Sequence, residues 1–128
     1  MEGKSKVMLL VEDVEDNRGV IRQLAARMQV QLLEAADGKT GVDLARSHGP
    51  DLIMMDLSLP VMDGWEAMRQ LKGDAATSAI PIVAVTAHAM VGDEARARES
   101  GADAYVAKPF DIMRLKALLQ ELLEDHRP

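Results

Sequence analysis

Short apolar runs alternate with longer amphipathic stretches along the chain. The runs cover residues 7–11, 30–34, 52–55, 82–85 and 104–107. Four of them are almost unbroken in Val, Ile, Leu, Met and Ala, the pattern of strands buried on both faces. The run at 30–34 is more polar and is expected nearer a sheet edge. Between the runs, the spacing predicts helices over 15–28, 38–48, 64–73, 90–100 and 112–124. In the last of these, Ile112, Leu115, Leu118, Leu119 and Leu122 recur at helical spacing and make one apolar stripe. Gly101 follows the fourth helix as a stop signal.

Strand followed by helix, five times over, implies an α/β fold: a parallel sheet with helices on both faces. Right-handed crossovers restrict the topology to doubly wound forms, and five strands suggest the flavodoxin-like order 2-1-3-4-5. No linker or repeat divides the 128 residues, so one domain is expected over 1–128, with a core of about 6–124 and frayed polar ends at 1–6 and 125–128. The absence of Cys rules out a disulfide framework, a thiolate zinc site and a Cys nucleophile. Fifteen Lys and Arg against 21 Asp and Glu give a net charge of −6, which argues against nucleic acid as a partner. The first apolar run stops at Glu12. It is shorter than a secretory core of about 7–15 residues or a membrane span of about 20, so a cytoplasmic protein with no membrane partner is expected.

Open α/β sheets bind ligands beyond the carboxyl ends of their strands, where the strand order reverses. Strand one leads into Glu12-Asp13 and strand three into Asp56; strand four ends at Thr86, and strand five leads into Lys108-Pro109. In the order 2-1-3-4-5 the three acids meet at the switch point, with the hydroxyl and the ammonium beside them. Clustered carboxylates repel one another unless a cation or proton intervenes. An all-oxygen site suits Mg²⁺, which takes one or two carboxylates and keeps room for water and phosphate. A carboxylate left over can act as a nucleophile on phosphorus, with metal and Lys offsetting the charge of the transferring group.

Here the motifs carry a resemblance. Val11-Glu12-Asp13, the segment 51–60 ending Asp56-Leu57-Ser58-Leu59-Pro60 with Met62-Asp63-Gly64, the segment 80–87 ending Val85-Thr86-Ala87, and the segment 101–110 ending Lys108-Pro109-Phe110 resemble the receiver domain of bacterial response regulators along essentially the whole chain. The resemblance implies a protein of two-component signalling rather than a turnover enzyme. Asp56 would accept phosphate from a histidine kinase or histidine phosphotransfer protein. Mg²⁺ would be held by Asp13, Asp56 and the backbone carbonyl of Ser58, with Glu12 acting mostly through metal-bound water. Thr86 and Lys108 would contact the phosphoryl group, and Tyr105 would follow the movement of Thr86. The Lys108–Pro109 bond matches a position that is usually cis. Ser58 and His88 occupy positions that tune dephosphorylation.

The same resemblance implies a signal passed by protein contacts through the face of the fourth helix, fifth strand and fifth helix. The Ala-rich fourth helix, with Gly92 near its start, is expected to be the mobile element. The apolar stripe ends near Leu123, so no output domain is expected; a receiver cut from a hybrid histidine kinase is the alternative. Trp65, just beyond Asp63-Gly64, is a candidate fluorescence reporter of the site, and Phe110 is expected to pack beside the Lys108-Pro109 turn. Each motif residue alone has a plain reading: Asp13 or Asp16 as a helix cap, Asp56 as a turn residue, Thr86 as a cap, Lys108-Pro109 as a surface turn. An aspartate-nucleophile phosphatase is disfavoured because Ser58 stands where such enzymes carry a second Asp as general acid. A flavin or dinucleotide carrier is disfavoured because strand one leads into Glu12-Asp13 rather than a Gly-rich loop.

Overall fold

The computed structural model describes residues 6–87 and 89–124; residues 1–5 and 125–128 of the ends expected to fray, and His88, lie outside them. Five strands, β1 (Val7–Val11), β2 (Gln31–Ala35), β3 (Leu52–Asp56), β4 (Ile82–Thr86) and β5 (Ala104–Ala107), alternate with five helices, α1 (Glu15–Met28), α2 (Gly38–His48), α3 (Gly64–Lys72), α4 (Asp93–Glu99) and α5 (Ile112–Glu124). All strand pairs are parallel and the order is β2-β1-β3-β4-β5, the doubly wound arrangement the sequence predicts.

Side chains alternate across a sheet, and the central strands therefore feed two cores. Leu9, Val11, Ile53, Met55, Ile82 and Ala84 face α2, α3 and α4, where Val42, Ala45, Ala67, Met68, Leu71 and Ala97 meet them. Met8, Leu10, Leu52, Met54, Val83 and Val85 face α1 and α5, against Ile21, Leu24, Ala25, Leu115, Leu119 and Leu123. Met54 and Met55 point to opposite sides, and neither is exposed at all. Their unbranched side chains fill the irregular space under both helix layers. No described helix is long and apolar enough to cross a membrane.

Two expectations change. The run at 104–107 reads as a strand buried on both faces, yet β5, at the edge where the order 2-1-3-4-5 places it, is only partly covered: Ala104 is buried, Tyr105 and Val106 are half-buried, and Ala107 is exposed. Its small and apolar residues hide this, because composition alone does not say how much of an edge strand the helices cover. The fourth helix is also shorter than 90–100. Met90 and Asp93 close a turn on each other, the Asp93 N–H donating to the Met90 carbonyl and the Met90 N–H to the Asp93 carboxylate. Gly92 sits at φ 90°, a left-handed conformation that glycine adopts without a steric penalty, so the helix begins only after it.

The β3–α3 loop packs tightly behind Asp56. A Cβ on Gly64 would overlap the Asp56 carbonyl and the Leu57 Cα, so only glycine lets α3 start there. Val61 in the same loop has φ 69° with its side chain 83% exposed, a strained state for a β-branched residue with no burial to offset it.

These two positions give opposite predictions. Val61→Asn, which tolerates left-handed backbone, is expected to stabilise the fold by about 1 kcal/mol. Gly64→Ala is expected to destabilise it by roughly 2 kcal/mol or more through overpacking. Urea midpoints at unchanged slope check both; a Val61→Asn midpoint at or below that of the wild type would refute the strain assignment.

Candidate functional site

Parallel pairing in register brings the strand ends to one edge. Val11 pairs with Met55, so Glu12-Asp13 leaves the sheet beside Asp56; Asp56 pairs with Val85, one residue before Thr86. Thr86 pairs with Ala107, and the Thr86 carbonyl accepts the Lys108 N–H at 2.8 Å, which places the Lys108 side chain over the same edge. The Lys108–Pro109 peptide is cis, and Phe110 packs against the core under α1 and α5.

One carboxylate oxygen from each of Glu12, Asp13 and Asp56 lies within 4.8 Å of the others. Glu12 and Asp56 are 2% and 4% exposed, whereas Asp13 faces solvent. The Lys108 Nζ bridges the two buried acids, 2.8 Å from Glu12 Oε1 and 3.0 Å from Asp56 Oδ2. The other oxygen of Asp56, Oδ1, accepts the Ser58 N–H at 2.9 Å. Thr86 is buried at the end of β4.

The electrostatics follow from this crowding. Burial pushes the Asp56 pKa above its ordinary value and the Glu12 charge adds to the push; the Ser58 N–H and the Lys108 ammonium oppose it without winning. Burial pulls Lys108 down, but its hydrogen bonds to Glu12 and Asp56 outweigh that, and its pKa is raised. The two shifts are consistent, because one ammonium shared between two carboxylates is stabilised twice over while each carboxylate receives a share. Three carboxylates around that single bridging ammonium make a hard, oxygen-rich site with surplus negative charge, which suits a divalent cation.

Sequence reasoning misses the residues that hold Glu12 in place. Glu12 Oε2 accepts from the Val14 N–H at 3.1 Å and from Asn17 Nδ2 at 3.3 Å, and Arg18 Nη1 donates to the Glu12 carbonyl at 2.8 Å. Neither Asp13 nor Asp16 caps α1: the cap position is Val14, with no side-chain cap bond. The available signal was that Asn17 and Arg18 lie one helical turn into α1, directly after the acid pair. Ser58 is exposed and reaches the site through its backbone N–H. Tyr105 lies off the acid cluster, on β5, packed against the core under α2, α3 and α4; its hydroxyl oxygen is buried with no hydrogen-bond partner among the described residues. Burial, then the charges of Asp93 and Glu94, push the Tyr105 pKa up. Trp65, the candidate reporter, lies under the Arg96 guanidinium, 3.9 Å from ring centre to Cζ.

Comparison with known proteins agrees with this geometry. The polar-differentiation response regulator DivK of Brucella ovis is 40% identical over 121 residues, covering 94% of this chain and 98% of the relative. DivK of Brucella anthropi is likewise 40% identical over 120 residues, with the same coverage. Among solved structures, the receiver domain of a sensor histidine kinase from Pseudomonas aeruginosa, with a magnesium ion coordinated in its active site cleft, superposes with a TM-score of 0.86 at 34% identity over 94% of this chain and 98% of that one. The Vibrio cholerae chemotaxis protein CheY4 shares the fold, with a TM-score of 0.86 at 24% identity over 93% of this chain and 99% of that one. The response regulator receiver domain matches residues 8–120, and with that span and those relatives the chain belongs to the receiver domain family of two-component signalling.

Proposed function

We propose that this domain accepts a phosphoryl group on Asp56 from a phosphohistidine of a histidine kinase or histidine phosphotransfer protein. The observation that carries this reading is the pairing of a buried carboxylate with raised pKa and a lysine ammonium 3.0 Å away, at the mouth of an acidic cluster. An Asp56 oxygen attacks phosphorus, the P–N bond to the donor imidazole breaks as the P–O bond forms, and the leaving imidazole takes up a proton. Lys108, already within reach of Asp56, offsets charge on the transferring group. Thr86 offers its hydroxyl to a phosphoryl oxygen.

The metal reading rests on the donor set. Asp13 and Asp56 would hold Mg²⁺ with the Ser58 carbonyl, and Glu12 would act through metal-bound water, kept in place by Val14, Asn17 and Arg18. When bound, Mg²⁺ supplies charge neutralisation at the phosphoryl oxygens. The domain carries out this acceptance and its reversal by hydrolysis itself, without turning over a separate substrate. His88 and Ser58 remain the positions assigned to set the lifetime of the acyl phosphate. We assign the protein to the cytoplasm, as a single domain, with its signal read from the face of α4, β5 and α5. Tyr105 lies on that face, and among the described residues its hydroxyl has no hydrogen bond to lose when the ring moves. A receiver from a hybrid kinase is the second reading, favoured by the 34% identity to the Pseudomonas kinase receiver.

Incubation with acetyl phosphate and Mg²⁺ is expected to add one phosphoryl group by intact mass, and Asp56→Asn to abolish the gain. Lys108→Ala is expected to slow the reaction by about 10²-fold, the range for losing one charge-stabilising donor. Glu12→Gln is expected to weaken Mg²⁺ by roughly 10-fold, as loss of an outer-sphere partner does. A mass gain that survives Asp56→Asn would refute the acceptor assignment.

Stability gives an independent check. The raised Asp56 pKa means that its contribution to folding is complete below the unfolded carboxylate pKa and is lost as pH rises through the higher folded value. The metal-free protein at neutral pH therefore carries a penalty that Asp56→Asn removes. In EDTA the variant is expected to melt about 4 °C higher, on the order of 1 kcal/mol. The gap should close as pH falls through the folded Asp56 pKa, and Mg²⁺ should raise the wild-type melting point more than that of the variant. An Asp56→Asn protein that melts below wild type in EDTA at pH 7 would refute the electrostatic account.

A further inference from the structure

The contact between Arg96 and Trp65 belongs to none of the roles above. Trp65 is the second residue of α3, directly after Gly64, whose backbone lies against the Asp56 carbonyl and whose N–H donates to the Leu57 carbonyl. Its ring packs against the core under α2, α3 and α4 and carries the Arg96 guanidinium on one face at 3.9 Å. Arg96 is exposed and stands mid-way along α4. A continuous line of contact thus runs from Asp56 through Gly64 and Trp65 to α4, apart from Thr86 and Tyr105.

Helix α4 is otherwise weakly held. It has seven residues, one buried side chain, Ala97, and no side-chain cap at its start. An open cleft of about 600 Å³ lies between Tyr105 and the α4 residues Glu94, Ala95 and Arg98. Among the described residues the remaining charged contacts on this helix are local: the Asp93 carboxylate accepts the Met90 N–H, and Arg98 pairs with Glu94 in the same helix and donates to the Asp103 carbonyl. With so little buried, one cation–π contact is a sizeable share of what fixes the helix.

We propose that Arg96 is a positioning residue for phosphorylation: stacked on Trp65, it latches α4 in the conformation in which Lys108 is bonded to the bare Asp56 carboxylate. The inference rests on the reading of Asp56 as phosphoryl acceptor. A phosphoryl group on Asp56 takes over Lys108 and displaces the β3–α3 loop that ends at Gly64-Trp65, and the stack opens with it. Because coupling is reciprocal, a weaker latch makes the phosphorylated conformation easier to reach. The effect cannot exceed the strength of the contact, so the expected change is roughly 2–5-fold.

The test measures the initial rate of phosphorylation by acetyl phosphate with Mg²⁺, read by intact mass, together with the emission of Trp65, the only Trp in the chain. Wild-type emission is expected to shift on phosphorylation. Arg96→Ala is expected to show the shifted emission beforehand and to phosphorylate roughly 2–5-fold faster, while Arg96→Lys, which keeps the cation, stays near wild type. Trp65→Leu should speed the reaction as Arg96→Ala does, and the double variant should be no faster than either single one, since both remove the same contact. Wild-type rates in both single variants, additive effects in the double variant, or wild-type emission indifferent to phosphorylation would each overturn the latch. If wild type itself gains no phosphoryl group, the acceptor reading fails, and the latch falls with it for want of an event to couple.

Discussion

The bridge from Lys108 to Glu12 and Asp56 is the interaction on which the rest of the site depends. Two carboxylates this buried and this close repel each other, and the ammonium between them offsets that repulsion. The ammonium comes from the end of β5, with two strands, β3 and β4, between it and β1, which leads into Glu12. Only a parallel sheet with its strands in register delivers all three groups to one edge, and the backbone bond from Lys108 to the Thr86 carbonyl fixes the last strand end against the fourth. The fold is the means by which residues up to 96 positions apart in sequence become one electrostatic unit.

Much of this was legible in the pattern of residues. The fully apolar runs at 7–11, 52–55 and 82–85 could only be central strands, and once three of them were central the strand-end acids had to converge. The edge position of β5 followed from the order 2-1-3-4-5, but its partial exposure was not legible, since Ala104-Tyr105-Val106-Ala107 is as apolar as a buried strand. The start of α4 was hidden for a different reason. Periodicity reads side chains, and the turn at Met90–Asp93 is set by backbone bonds and by the φ of Gly92. Asn17 and Arg18 escaped because they act on Glu12 from a neighbouring helix turn, a contact with no spacing rule of its own. The stack of Arg96 on Trp65 joins two helices 31 residues apart and leaves no local trace in either.

The two cores divide the labour of the domain. On the side of α1 and α5, long apolar side chains such as Ile21, Leu24, Leu115, Leu119 and Leu123 lock both helices to the sheet. On the other side α2 and α3 are held in the same way, but α4 contributes one alanine. Rigid packing on most of the sheet keeps the carboxylates at fixed spacing, while the weakly anchored helix lies next to the strand ends that carry Thr86 and Lys108. Helix α4 is therefore the element with the fewest buried anchors to give up, beside helices that have several.

The same economy explains why the site is costly to the fold. Ionising a carboxylate whose pKa is raised by burial costs folding free energy, yet the same burial excludes water and strengthens every charge interaction at that carboxylate. Exposing Asp56 would relieve the penalty and weaken the pull of Lys108 on anything attached there. Val61, strained in the loop that follows Asp56, and Gly64, which cannot carry a Cβ, lie within eight residues of the same carboxylate. Departures from an optimal fold gather around Asp56, the pattern of a site whose local geometry is held for something other than stability.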